Sequence, residues 1–386
     1  MTKKKVLIVY HYFATYRKPI LEELNQSNEY EYYYAYGEKT NIDINIIRNW
    51  DFLGDENIIK NKVFKLDNKW FMKNVLFQIG LLKLIRTIEF DSVVFLGDPH
   101  FISTWISILY LKLKLKRTTV LLWTHGTLKD GKYKNIIKKY FYRLADTILL
   151  YGNLAKKKLI ANGIDEVRLK VIYNSLDYKS QVKYRASLKN ETFEQSIYFE
   201  NPNLPLLCFV GRLTAQKKLS SILDAMYELS KKGIETNFIF IGNGEAKNDL
   251  ENKAIKLHLN NNVFFYGECF DERELSKLIY FSDLCVSPGE VGLTAMHVMS
   301  YGTPVVTHNS ELHQMPEYEA IVDDKTGLLY EYEQLPDLTN KIEQWLRKNT
   351  SREEIRDNCF HIIDNCYNPS VQKELIEEAL KERADA

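Results

Sequence analysis

Cysteine is scarce and unevenly placed. There are five in 386 residues (Cys208, Cys269, Cys285, Cys359, Cys366), all in the second half and none in a Cys-x-x-Cys pair. That argues against a disulfide framework or a thiolate metal knuckle, and three of the five sit inside apolar patterns, as reduced core residues of a cytosolic protein do. Long apolar runs are absent too. The stretches 70–85 and 101–113 are broken by Lys73, Lys83 and Lys112 and fall short of the roughly 20 clean residues a membrane span needs. The start, three lysines followed by 6–10, imitates a secretory leader, but the run is too short and no small-residue cleavage site follows, so a first strand is expected instead. No Gly-x-Gly-x-x-Gly follows that strand, and 12–19 contains no glycine, which argues against an NAD or FAD enzyme. No Asp-x-Asp occurs, and the eight histidines show no ligand spacing with cysteines or carboxylates, so no catalytic metal is expected.

What is present is alternation. Strand-like runs at 6–10, 30–36, 92–96, 119–123, 147–151 and 169–172 are separated by helix-like stretches, the pattern of a doubly wound parallel sheet. A second series follows at 206–210, 237–241, 263–266, 284–287 and 305–307, and from Leu335 the sequence reads as helix. Length alone favours two domains. The expected division is a first domain over 1–185, a polar linker over 186–204, a second domain over 205–370 and a terminal helix over 371–386. Charge divides the same way: 1–185 holds 32 Lys and Arg against 18 Asp and Glu, net +14, which leaves 20 against 33, net −13. A basic lobe suits an anionic surface or acceptor, and a solvated lysine-rich surface accounts for it equally.

Two segments carry chemistry. Gly211, Arg212 and Lys217 follow the apolar run 206–210, at the carboxyl end of an expected strand, where open α/β sheets place ligands. Some seventy positions on, Ser287-Pro288-Gly289-Glu290-Val291-Gly292-Leu293-Thr294 runs into a helical pattern ending at Gly302-Thr303-Pro304. Gly292, Leu293 and Thr294 would present free N–H groups at a helix start to an anion clamped by Arg212 and Lys217. Gly242-Asn243-Gly244 forms a further turn, either approaching a nucleotide or simply needing positive φ.

In order and spacing these segments resemble the donor-binding half of the GT-B glycosyltransferases, in particular the retaining enzymes of family 4 found in bacterial polysaccharide and lipopolysaccharide synthesis. The resemblance spans nearly the whole chain. It implies two Rossmann-like doubly wound parallel-sheet domains facing a central cleft, with the last helix returning to the first domain. It further implies a nucleotide-diphosphate sugar, with UDP or GDP expected, as co-substrate rather than cofactor, and a glycan or lipid-linked glycan as acceptor. No nucleic-acid partner is expected. Arg212 and Lys217 would stabilise charge developing on the leaving diphosphate. Most relatives carry two glutamates before the Gly-x-Pro, the first on the sugar and the second on the ribose; the matching positions here are Gly289 and His297. Glu290, one place off, is the candidate for the first carboxylate, and His297 for the ribose acceptor.

In the first domain, Thr124-His125-Gly126 matches the place where many relatives carry a histidine beside the donor sugar, which makes His125 the catalytic-side candidate. Tyr16 and Arg17 replace a glycine-rich loop and would face the acceptor, with Asp98 at another strand end. Trp70, Phe71, Val75, Phe77, Leu81 and Leu82, among Lys69, Lys73, Lys83 and Arg86, and the cluster Lys112, Lys114, Lys116 and Arg117 form a candidate face for peripheral contact with an anionic inner membrane; two core helices with solvated lysine tips are the plainer reading. The alternatives to a transferase are a catalytically inactive partner subunit and another GT-B enzyme such as an epimerase or phosphorylase.

Overall fold

The computed structural model of the protein describes residues 2–42, 44–114, 118–126 and 132–381. It separates into two compact units, Met1–Asp177 with Asn368–Ala386, and Tyr178–Tyr367.

In the first unit the strands are β1 (Lys4–Val9), β2 (Tyr30–Gly37), β3 (Val63–Phe71), β4 (Val75–Ile79), β5 (Ser92–Leu96), β6 (Thr119–Thr124), β7 (Thr147–Leu150) and β8 (Leu169–Val171). Among the described residues they form one sheet in the order β4-β3-β2-β1-β5-β6-β7-β8. Only the β3–β4 hairpin is antiparallel. Alternation along β1 sends Val6 and Ile8 to one face and Leu7 and Val9 to the other, and both faces are buried under helices, as a parallel sheet requires. The terminal helix Pro369–Lys381 completes this unit: Ile376 and Leu380 join the core beside Ile20 and Leu24, and Gln372 accepts from Ser175 Oγ at 2.7 Å.

The second unit holds β9 (Leu206–Val210), β10 (Asn237–Ile241), β11 (Val263–Gly267), β12 (Leu284–Ser287), β13 (Val305–His308) and β14 (Gly327–Tyr330). All pairs are parallel, in the order β11-β10-β9-β12-β13-β14. Each sheet therefore has a switch point beside its first strand: β1 lies between β2 and β5, and β9 between β10 and β12. Such points open a crevice at the carboxyl ends of the strands.

Three expectations meet a different arrangement. The division between units falls after Asp177, ahead of the 186–204 stretch read as a linker; Tyr178–Leu188 is a helix of the second unit, held there by a bidentate pair from Arg185 to Asp364 at 3.0 and 2.8 Å. The terminal segment joins the first unit from Asn368 rather than from 371. The segment from Trp70 to Phe77 is neither an interfacial helix nor a core helix. It is the β3–β4 hairpin, with Leu76 and Gln78 buried and Phe71 and Phe77 exposed on the alternate face. Leu81 and Leu82 belong to the helix Leu81–Thr87 that follows. Lys116 and Arg117 lie outside the described residues.

Candidate functional site

The loop that leaves β9 is built for close approach. Gly211 has φ +143°, and its N–H donates to Ile241 O at the end of β10. A Cβ on Gly242 would collide with the carbonyl of Gly211, and one on Gly244 would stand 2.8 Å from the Leu213 carbonyl carbon. Leu213 N donates to Asn243 O at 2.9 Å. Gly242, Asn243 and Gly244 thus hold the two loops together, and the glycines are accounted for by that packing without a ligand.

Beyond Gly211 the chain carries Arg212, which is exposed, and a short 3₁₀ turn, Ala215–Lys217, whose last residue points back across the end of β12. Lys217 Nζ donates to the Glu290 backbone carbonyl at 2.6 Å and lies 3.9 Å from the Glu290 carboxylate, with its side chain 20% exposed. Burial lowers the Lys217 amine from its usual value, opposed by the charges of Glu290 and Glu317. The structure therefore brings Lys217 and Glu290 together. Gly289 N donates to Lys217 O at 3.0 Å, and a Cβ at Gly289 would meet Gln216 O and lie 2.7 Å from Lys217 Cα. No side chain fits at 289.

Gly292 (φ +52°) turns the chain into the helix Leu293–Ser300, whose first N–H groups have no partners within the helix. The Thr294 hydroxyl is engaged within the fold: Oγ1 donates to Val210 O at 3.0 Å and ties the helix start to β9. Val291 N donates to the buried Gln314 side chain at 3.0 Å. One turn further on, His297 is engaged rather than open: its Nε2 is 2.8 Å from Glu272 Oε1, and the Tyr301 hydroxyl donates to the same oxygen. Burial alone would raise the Glu272 carboxyl, but the hydrogen bond and charge of His297, with the hydroxyl of Tyr301, bring it below its ordinary value. Glu272 opens the helix Glu272–Tyr280 and has no counterpart in the sequence motif; nothing in its local pattern signalled it.

In the first unit, the candidates fall at the matching switch point. Tyr16 and Arg17 lie in the 3₁₀ turn Thr15–Arg17 after β1, Asp98 follows β5, and His125 follows β6, and all four line one cavity of about 390 Å³. His125 is exposed, its ring 4.6 Å from that of Tyr151. Asp98 Oδ1 accepts from the His100 backbone N–H at 2.9 Å and lies 2.7 Å from His100 Nδ1. Arg17 lines the cavity while only 8% exposed. Among the described residues, no group of three His, Cys, Asp or Glu side chains is placed to hold a metal ion, and no helix is long and apolar enough to cross a membrane.

Two units, each with a parallel sheet and a loop-lined switch point, define the GT-B fold, and solved structures across the whole length share it. The lipopolysaccharide outer core galactosyltransferase WaaB superposes with a TM-score of 0.70 at 16% identity, covering 98% of this chain and 99% of that one. Anabaena HepE in complex with UDP gives 0.69 at 16%, covering 99% and 100%. Within the second unit, residues 190–361 match the glycosyl transferases group 1 family. An uncharacterised glycosyltransferase of Methanocaldococcus jannaschii is 29% identical over 225 residues, 54% of this chain and 53% of the relative, so the chain spans about half of that relative's length.

Proposed function

We propose that the protein is a retaining glycosyltransferase of the family 4 type that moves a sugar from a nucleotide-diphosphate donor, UDP first among candidates, to a glycan or lipid-linked glycan, without a metal ion. The observation that supports this most is the convergence of Lys217, Glu290 and the start of the helix Leu293–Ser300 at the switch point of the second sheet. An ammonium and a helix N-terminus suit a diphosphate, and a carboxylate one residue from the usual place suits a sugar hydroxyl. The match of 190–361 to the glycosyl transferases group 1 family and the UDP held by Anabaena HepE support the same reading.

In this reading Arg212 and Lys217 act on the charge that appears as the sugar leaves. Fixed cations there stabilise the transition state more than the ground state. The acceptor hydroxyl attacks from the face the diphosphate leaves, and a leaving phosphate oxygen takes its proton, so no protein carboxylate serves as base. Glu272, oriented by His297 and Tyr301, supplies the ribose-binding carboxylate that His297 displaced from the helix. Tyr16, Arg17 and Asp98 serve the acceptor side, with His125 beside the donor sugar. The test is release of nucleoside diphosphate from a panel of nucleotide sugars with and without candidate acceptors and chelator. Acceptor-stimulated release that survives chelation supports the reading. A folded protein that binds none of the nucleotides contradicts it and favours an inactive partner subunit.

A further inference from the structure

The guanidinium of Arg17 is a buried cation without a buried anion. Its Nη2 donates to the Tyr151 hydroxyl, and four rings surround it, with Cζ 4.8 Å from the centroid of Tyr10, 5.2 Å from Trp123, 5.4 Å from Tyr16 and 5.7 Å from Tyr151. Among the described residues no carboxylate forms an ion pair with it. Ring faces offset part of the cost of burial, but a guanidinium carries five N–H donors, and the rings accept none of them in plane. Removing such a charge from water without a partner is expensive, so a fold that keeps it there keeps it for something that is absent from the free protein.

The surroundings say what that something carries. Arg17 lines the cavity of about 390 Å³ at the switch point of the first sheet, and none of its nitrogens is both fully buried and unbonded, so the unused donors reach the cavity. His11, on the same wall, has a buried Nδ1 without a hydrogen-bond partner, and burial, then the charge of Arg17, hold its pKa at about 3, so it is neutral and adds no competing charge. Among the described residues the one acidic lining residue, Asp98, is turned to His100 and leaves an oxygen suited to a hydroxyl. Tyr16, 36% exposed, offers an apolar ring beside the cation.

We propose that this cavity is an acceptor subsite for an anionic saccharide, a sugar whose phosphate or carboxylate is held by Arg17 while Asp98 takes a hydroxyl. A guanidinium matches either group with two parallel hydrogen bonds. The proposal rests on the reading of this side of the protein as the acceptor side, and it narrows the acceptor from any glycan to a charged one.

Calorimetric titration of the full chain with glucuronate, glucose 1-phosphate and uncharged glucose, and separately with UDP, tests it in wild type, Arg17→Lys and Arg17→Gln. Both anionic sugars should bind wild type about tenfold or more tighter than glucose, the worth of a charge-assisted bond. Arg17→Gln should abolish that preference, Arg17→Lys should retain part of it, and UDP affinity should stay the same in all three. Equal affinity for glucuronate and glucose in wild type overturns the proposal, and so does a preference that survives in Arg17→Gln. Should Arg17→Gln fail to fold, wild-type selectivity and the weakened but persistent preference of Arg17→Lys decide. UDP affinity that falls with Arg17 while the sugars are unaffected would assign the cation to the donor and overturn the acceptor subsite. Absence of UDP binding in wild type would count against the transferase reading alone, because the sugar selectivity is measured independently.

Discussion

The two units deliver a cation in the same way and then treat it differently. In each, the first strand of a parallel sheet, β1 or β9, runs into a loop that closes with a 3₁₀ turn whose last residue is basic, Arg17 or Lys217, beside the switch point. Lys217 is met by a backbone carbonyl at 2.6 Å and a carboxylate at 3.9 Å, whereas Arg17 is met by aromatic rings and one hydroxyl. Position in the fold fixes that a cation reaches the crevice; the neighbours decide how much of its charge is left for a ligand. Lys217 must exchange protein partners for a phosphate. Arg17 has donors to spare.

The comparison is broken most sharply by removing the second unit's cations. Lys217→Ala and Arg212→Ala should each lower turnover by about 10²–10³, some 2.7–4 kcal/mol of barrier, with little change in melting temperature. Unchanged kcat in a folded variant would remove the diphosphate clamp from the account.

The next largest effect concerns the loop that admits only glycine at 289. Gly289→Ala puts a Cβ against Gln216 O and Lys217 Cα, so it should destabilise the second unit by about 1–3 kcal/mol and disturb Lys217 with it. Gly289→Glu, which adds a longer side chain at the same place, should be worse still. Thermal denaturation with a turnover assay on both variants decides this, and a gain of activity in Gly289→Glu would show that the loop relaxes.

Smaller again is the nucleoside end. His297→Ala or Glu272→Gln should weaken nucleoside diphosphate binding roughly tenfold, about 1.4 kcal/mol, the scale of one hydrogen bond. The two losses should not add, since both break one bonded pair. Because the Glu272 carboxyl is held below its ordinary value of 4.5, its contribution to stability is complete above that pH and is lost as pH falls through the depressed folded value. Acid titration of unfolding should therefore be flatter in Glu272→Gln than in wild type.

The smallest expected effect lies on the first unit's surface. The hairpin tip exposes Met72 at 92% beside Phe71 and Lys73, and Leu113 is exposed among Lys112 and Lys114. A peripheral membrane role predicts sedimentation with anionic but not neutral vesicles, fading with salt at about 1 kcal/mol per basic residue near the surface. Met72→Glu should weaken it. No binding to anionic vesicles at low salt would leave this face to solvent.

These regions also show where sequence reading succeeds. The strands β1, β2, β5 to β7, β9, β10, β12 and β13 are largely apolar runs with buried residues on both faces, and such runs are visible without a structure. The β3–β4 hairpin was not, because Lys65, Asp67 and Lys69 alternate with Leu66 and Asn68 on a sheet edge, and Phe71, Phe77 and Ile79 are apolar on the exposed face, which reverses the usual signal. β14 opens on a glycine and holds only two leucines before Tyr330, so no apolar run marks it in the sequence. At the site, spacing singled out Gly289, Glu290 and His297 as departures, but the reasons lie across the chain: Gln216 O closes the space at 289, and Glu272 comes from another helix. Arg17 was legible as a basic residue after a strand. Its burial was not, since Trp123 on β6 and Tyr151 just after β7 reach it from more than a hundred residues away.

The central claim is that the second unit holds a diphosphate through Lys217, and calorimetry of UDP against UMP tests it most directly. Wild type should bind UDP at least about tenfold tighter than UMP, and Lys217→Ala should bring the two affinities together, since only the second phosphate reaches the ammonium. Equal affinity for UDP and UMP in wild type, or a UDP advantage untouched in Lys217→Ala, would contradict the account.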